Sequence, residues 1–367
     1  MTIEIIVLFF ASVALTAGLI WLFRPLACRI GLVDQPGGRK DHLQATPLIG
    51  GVAIFCAFLL LLLTLDTSLG PWRSFFLASA VLFIVGLLDD FQETPPWSRF
   101  AAQIGASLII VLWGGAVLHN LGGLFSNQDV ILGAFAVPFS IFCCVGVINA
   151  TNMLDGLDGL AGVVLLTFFG TLLLLAWHAG LEQDTKILLL ICGALVGFLL
   201  FNFRFVGSRA ATVFLGDAGS MFLGLAVTWF LIRFTQEPVS LLRPMTAIWL
   251  FALPIMDTVA IMTRRAVRGR SPFAPDREHF HHILLVAGFS VRTTVLIVLG
   301  ISLLMALLGL AGEWAGVPEF IMFYVFLLLF AVYYWSMNHA WKVMRALRSV
   351  REHALQELHK QPGDAGV

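Results

Sequence analysis

An all-α integral membrane protein of about eleven transmembrane helices is the fold class this sequence predicts. Three observations predict it: the composition, the length of the apolar stretches and the sidedness of the basic residues. Of 367 residues, 59% are hydrophobic and 12% charged, and mean hydropathy is +0.93. Soluble domains carry about a quarter charged residues, and no soluble core could hide so much apolar surface.

The apolar stretches run for about 15 to 21 residues with few or no charges, the length that crosses a hydrocarbon core of roughly 30 Å. Ile3 to Phe23 comes first. Met1 to Ile6 lacks a basic leader and Arg24 and Arg29 follow, so this stretch is expected to remain as an anchor. Pro47 to Leu65, Trp72 to Leu88 and Phe100 to Leu118 come next, the second of them running into Asp89 and Asp90. Leu132 to Ile148 leads into an Asn- and Asp-rich turn, and Leu160 to Trp177 leaves it. Ile187 to Phe203 precedes a Gly-Asp motif that opens Ser220 to Phe234. Met245 to Met262 carries Pro254, which is expected to kink it, and Asp257. Thr294 to Leu310 and Phe320 to Met337 complete the set.

Residues 1–338 therefore read as a single multispan catalytic domain and 339–367 as a cytoplasmic tail. Lys342 to Lys360 mixes basic, apolar and acidic residues at helical spacing, which suits either a helix on the inner surface or a solvated one. There is no internal repeat of the kind that builds two-half transporters. The five cysteines lie in or beside apolar spans and show neither a disulfide framework nor metal spacing.

Short cytoplasmic loops of bacterial membrane proteins concentrate Lys and Arg. With the N-terminus outside and the C-terminus inside, only Arg73, Lys186, Arg233 and Arg243 of the 22 basic residues face outward. On this topology Asp89, Asp90, Asn149, Asn152, Asp155, Asp158 and Asp217 all fall on the inner face, in three separate segments. Carboxylates at the ends of transmembrane helices are costly unless paired, hydrated or bound to a cation. One such pair could be a solvated helix end, but the whole set reads as functional. Oxygen ligands suit Mg²⁺, which takes one or two carboxylates plus substrate phosphates. Asp217 also reads as an N-cap for a helix beginning near Ser220, whose positive end favours phosphate.

Arg264 to His282 is basic, stiffened by two prolines and rich in histidine. Arginine forks match phosphate oxygens, and histidine donates to phosphate or moves a proton near neutral pH. Zinc held by His279 and His282 is the rival reading, weakened by the arginines around it. Asp257, about 9 Å inside its helix, should face a polar cavity or an internal partner such as an arginine.

These residues resemble the polyprenyl-phosphate N-acetylhexosamine 1-phosphate transferase family. The resemblance runs from Gly31-Leu-Val-Asp34-Gln-Pro36 through Arg39-Lys40-Asp-His42 and Pro47-Leu-Ile-Gly50-Gly51. It continues through Asp89-Asp90, Asn149-x-x-Asn152-Met-x-Asp155-Gly-x-Asp158-Gly, Gly216-Asp217-Ala-Gly-Ser220 and His279-x-His281-His282 to Ala287-Gly288-Phe289, most of the chain in the family's order. It implies transfer of GlcNAc 1-phosphate from UDP-GlcNAc to undecaprenyl phosphate, with Mg²⁺ or Mn²⁺, in the inner membrane, as the first membrane step of O-antigen or a related glycan. By position it implies that Asn152 and Asp217 hold the metal. Asn149 and Asp158 would lie near the nucleotide, and Lys40 would join them in binding substrate. Arg265 with His279, His281 and His282 would grip phosphate and sugar, while Asp89, Asp90 and Asp155 complete the catalytic set, the first two at the acceptor. Phe280 interrupts what is a run of three histidines in the muramoyl-pentapeptide branch, which favours a simple N-acetylhexosamine. Membrane lipid is an expected partner, nucleic acid is not, and a homodimer is compatible.

In the implied reaction an acceptor phosphate oxygen attacks the donor β-phosphorus and expels UMP. A phosphate monoester is largely dianionic at pH 7, so Asp89 or Asp90 positions or deprotonates the acceptor, or no base is used. The alternatives are the same chemistry on another UDP-N-acetylhexosamine, and a cation-coupled transporter. The one-sided charge and the missing two-half symmetry argue against the transporter.

Overall fold

The computed structural model describes residues 2–35, 45–65, 70–92, 94–205, 210–269 and 279–339, and these are overwhelmingly helical. In chain order they are α1 (Thr2–Ile30), the two-residue strands β1 (Val33–Asp34) and β2 (Thr46–Pro47), α2 (Gly50–Leu62), α3 (Arg73–Gln92), α4 (Pro96–Leu108) and α5 (Ala136–Leu154). There follow α6 (Leu160–His178), α7 (Glu182–Asn202), α8 (Gly216–Thr235), α9 (Pro244–Leu250), α10 (Ala252–Val267), α11 (Phe280–Val286), α12 (Val291–Trp314) and α13 (Glu319–Asn338). Lys40 and most of the tail expected at 339–367 lie outside the described residues.

Every one of the eleven apolar stretches falls on helix, but they are not eleven equal spans. Among the described residues, eight helices (α1, α3, α5, α6, α7, α8, α12 and α13) are long and apolar enough to cross a membrane, and α9 with α10 makes a ninth if the bent pair counts as one. The chain is a multi-pass membrane protein. At 13 residues, α2 covers only about 20 Å, short of a hydrocarbon core. α4 passes into a π-helical turn, Ile109–Trp113. The kink expected at Pro254 is an 83° break between α9 and α10. Proline there has no N–H to offer the carbonyl of Leu250, and the chain turns at Phe251, between the two helices.

α8 lies at the centre, 89% of its apolar window buried, while only 6% of the α13 window is buried. Helix packing in lipid favours small residues that let backbones approach. Gly86 of α3 shows this, since a Cβ there would come within 2.6 Å of the Ala218 Cα. The start of α8 is anchored by three backbone bonds to residues 47–51. Gly50 and Gly51 donate backbone N–H bonds to the carbonyls of Phe214 (2.9 Å) and Leu215 (2.8 Å), and Phe214 donates to Pro47 (2.9 Å). The antiparallel β1–β2 pair, in register Val33 with Pro47, is thereby tied to the residues that open α8.

Candidate active site

The ends of α3 and α5 and the start of α8 meet in a polar cavity of about 1090 Å³. Asp89, Asp90, Asn152, Asp155, Asp158, Asp217 and His282 line it, so residues of four motifs far apart in sequence share one cavity.

Asp90 accepts the backbone N–H groups of Asp217 (2.8 Å) and Ala218 (3.1 Å). A carboxylate on α3 thus caps the positive end of α8, satisfying donors that a helix N-terminus leaves open. Gly216 makes room, with φ +75°, and a Cβ on it would lie 2.6 Å from an Asp90 oxygen. This corrects the expectation that Asp217 caps its own helix. α8 begins at Gly216, four residues before Ser220, and the capping carboxylate comes from another helix.

The Asp217 side chain is consequently free to face the cavity. It accepts from the Asn152 amide and from Arg99 Nη1 (3.4 Å). Asn152 also donates to Ser220 Oγ (2.9 Å). Because its nitrogen serves both bonds, its carbonyl oxygen is the atom left as a hard ligand. Asp89 accepts from the Thr94 N–H (2.7 Å), the Thr94 hydroxyl and Arg99 Nη1 (3.0 Å). Arg99 therefore stands between Asp89 and Asp217 as an internal cation.

Asp155 follows the last residue of α5. Burial first, then the charges of Asp217 and Asp90, push its carboxyl well above the usual range. Asp158 is paired with Arg204 Nε (2.7 Å) and accepts the Ala211 N–H (2.9 Å). Directly after Asp158, Gly159 turns at φ +82° and donates to Asn202 Oδ1 (2.7 Å), whose amide donates to the Val213 carbonyl (2.9 Å). Asn202 thereby ties the α5–α6 turn to the strand of chain that leads into α8.

Of the three histidines, His279 and His281 lie outside this wall. His281 is buried, and its Nε2 has no hydrogen-bond partner. Burial, followed by the neighbouring His282 and His279, depresses it to about 3, so the ring is neutral near pH 7. A Cβ added to Gly156, in the cavity wall, would meet that Nε2 at 2.9 Å. The structure brings His282 to the cavity but leaves His279, His281 and Arg265 outside the residues that line it. Asn149 is placed elsewhere. It donates to Gln103 Oε1 (2.7 Å) and lines a second, almost wholly apolar cavity of about 630 Å³. Phe100, Ile104, Val147, Ile248 and Val259 wall that cavity, which lies among α4, α5, α8, α9 and α10.

The internal partner expected for Asp257 is a histidine: Oδ2 lies 2.8 Å from His279 Nδ1, and Oδ1 accepts from Tyr333 and from the Phe280 N–H. Arg99, Thr94, Arg204 and Tyr333 are the site residues that sequence reading passes over. The two arginines carry weight there only as inward charges, and nothing local marks Tyr333.

Among the described residues, no three His, Cys, Asp or Glu side chains already converge on one metal position. The donor set fits a hard cation nonetheless. Asp217, Asp89 and the Asn152 carbonyl are oxygen donors beside a cavity open to substrate, and Mg²⁺ completes its shell with phosphates and water. Zinc fits less well, since the donors gathered beside Arg99 are oxygens, with neither thiolate nor imidazole among them.

Residues 72–235 match the model of glycosyl transferase family 4. Three curated relatives, from Escherichia coli (strain K12), Yersinia pestis and Haemophilus influenzae, each bear the name undecaprenyl-phosphate alpha-N-acetylglucosaminyl 1-phosphate transferase. The chain is 35% identical to the first over 330 residues, covering 89% of each. It is 33% identical to the second over 349 residues (95% of this chain, 94% of the relative). To the third it is 34% identical over 334 residues (91% and 94%).

Proposed function

The chain belongs to the polyprenyl-phosphate N-acetylhexosamine 1-phosphate transferases of glycosyl transferase family 4, and from that premise we propose that it moves GlcNAc 1-phosphate from UDP-GlcNAc to undecaprenyl phosphate. The products are undecaprenyl-pyrophosphoryl-GlcNAc and UMP. The observation that carries the reading is the meeting of Asp89, Asn152 and Asp217 around Arg99 in a large polar cavity, with an apolar cavity walled by the next turn of α5.

In the transfer an acceptor phosphate oxygen bonds to the donor β-phosphorus. The bond from that phosphorus to the bridging oxygen breaks, and the electron pair leaves with UMP. Positioning and charge neutralisation supply most of the catalysis in such reactions. Asp217, Asp89 and the Asn152 carbonyl would hold Mg²⁺, or Mn²⁺, and a bound ion supplies the positive charge that lets two phosphates approach. Arg99 offers a donor fork to phosphate oxygens at the same place. Asp90, by capping α8, keeps the positive helix end aimed at the cavity. The polyprenyl chain suits the apolar cavity, whose walls offer hydrocarbon and little else.

Basic residues support an orientation with the N-terminus outside and the cavity at the cytoplasmic face of the inner membrane, since eighteen of 22 fall on that side. In that arrangement α2 and α4 serve as the short and the interrupted members of an eleven-segment bundle. The product suits the first membrane step of O-antigen or a related surface glycan.

The test is UMP release by the purified protein in detergent, given undecaprenyl phosphate, Mg²⁺ and a panel of UDP-N-acetylhexosamines. The expected outcome is release with UDP-GlcNAc that EDTA abolishes. Release with a different sugar only would move the donor, and no release with any of them would remove the transferase reading.

A further inference from the structure

α13 is mostly lipid-facing, and among its residues only Phe326 and Met337 are buried. Yet toward its C-terminal end it sends a polar group inward. The Tyr333 hydroxyl donates to Asp257 Oδ1 at 2.5 Å. The same oxygen accepts the Phe280 N–H at 3.2 Å, the first amide of α11, and Oδ2 lies 2.8 Å from His279 Nδ1. From the Asp257 carboxylate, α11 is therefore held at two adjacent points, an imidazole and the next backbone amide.

We propose that Tyr333 and Asp257 are a positioning pair that fixes the tautomer and orientation of His279, and through it the histidine cluster, for the transfer proposed above. An ionised carboxylate only accepts hydrogen bonds, so the proton of the neutral imidazole must sit on Nδ1. Nε2 is then the ring atom left to act on anything outside the pair. The orientation is passed on by contact. The His279 and His281 rings lie parallel within 9°, centroids 5.6 Å apart, and His281 and His282 are 4.3 Å apart. His282 reaches the polar cavity, so a line of contacts joins a lipid-facing helix to the substrate wall. Burying a tyrosine hydroxyl and a carboxylate within a membrane bundle is costly unless each is satisfied, and here each satisfies the other.

This inference rests on the transferase reading for its consequence but not for its chemistry, and Asp257→Asn separates the two. Asparagine keeps the shape, and its Oδ1 can still accept from Tyr333 and Phe280. Its amide nitrogen would face His279 as a donor, so Nδ1 must become an acceptor and the proton must move to Nε2.

The experiment takes the full-length protein in lipid nanodiscs, labelled with ¹⁵N-histidine, with the His279 resonance assigned by its loss in His279→Gln. The wild type is expected to show an Nδ1–H tautomer at His279, and Asp257→Asn an Nε2–H tautomer. In UMP-release assays kcat of Asp257→Asn should fall about 10- to 100-fold, the range for loss of a supporting partner, with KM for the UDP-sugar changed by less than about threefold. Asp257→Glu should recover part of the rate. Tyr333→Phe, which removes one oxygen, should lose less than Asp257→Asn and keeps the test available if that variant does not fold. An unchanged His279 tautomer in Asp257→Asn, or unchanged kcat in both Asp257→Asn and Tyr333→Phe, would overturn the positioning role. Should the wild type release no UMP, the transferase reading falls while the tautomer measurement, made without substrate, still decides the pair.

Discussion

The two ends of α8 carry charge in opposite ways. At its end, Arg233 makes a two-point bond to Asp184 of α7 (2.5 and 3.0 Å) and lies over the Trp72 ring, 4.9 Å from its centroid. Nearby, Gln236 accepts from the His119 and Asn120 amides and donates to the Asn120 carbonyl. Arg233, Asp184 and Gln236 each have a partner of matching kind. At its start, about 24 Å away by helix rise, Asp89, Asp90, Asp155 and Asp217 crowd together, and Arg99 is the guanidinium set against Asp89 and Asp217. The contrast separates charge that stabilises a fold from carboxyl groups held in surplus, which on the function proposed above would be balanced by a cation brought in with phosphates.

The largest effect should come from Asp217→Asn. Shape and the Asn152 neighbour are kept, yet UMP release should fall by about 10²–10³-fold or more, the scale of losing one preorganised electrostatic contact, with the elution profile unchanged. Asp184→Asn should do the reverse. Breaking one side of a fully buried pair costs about 3–5 kcal/mol and less where, as here, the arginine is partly exposed, so its unfolding midpoint should drop while turnover per folded molecule stays at the wild-type level. Equal loss of turnover in both would erase the distinction between the two ends.

Arg99→Met sharpens the comparison. Removing the fixed cation between Asp89 and Asp217 takes away a competitor for any divalent ion, so half-maximal UMP release should need less Mg²⁺. Turnover should nonetheless fall about tenfold for want of a phosphate contact. A Mg²⁺ titration gives both numbers.

The smallest effect is acid sensitivity. His281 is held neutral, with its pKa lowered from 6.5 to about 3. Below pH 6.5 the unfolded chain takes up a proton that the folded one refuses, so this stability is present above pH 6.5 and is lost as pH falls toward 3. At pH 5 the loss is about 2 kcal/mol, and the fall in melting temperature between pH 7 and pH 5 should be shallower in His281→Asn.

Much of the bundle is legible in sequence because membrane thickness sets helix length, which is why each of the apolar stretches lies largely on helix. Their inequality is not legible. The early end of α2, the π-turn of Ile109–Trp113 and the size of the break at Phe251 depend on what packs beside them. In the site, Asp89, Asn152, Asp158 and Asp217 announce themselves as carboxylates and amides at span ends, and the structure gathers them. The remote cap from Asp90 joins residues 127 positions apart, and no local pattern encodes it. Arg99 looks like a topology charge until it is seen between two aspartates. Asn149 sits one turn before Asn152 on α5, about 4.5 Å deeper, and that rise suffices to carry it from the polar cavity to the apolar one.

Whether the surplus carboxylate at the start of α8 binds a cation together with phosphate is decided by Mn²⁺ binding to the purified protein with UDP, followed by electron paramagnetic resonance in wild type, Asp217→Asn and Asp184→Asn. One bound ion in wild type and in Asp184→Asn, lost in Asp217→Asn, is the predicted result. Binding that persists undiminished in Asp217→Asn, or that is equally lost in Asp184→Asn, would contradict it.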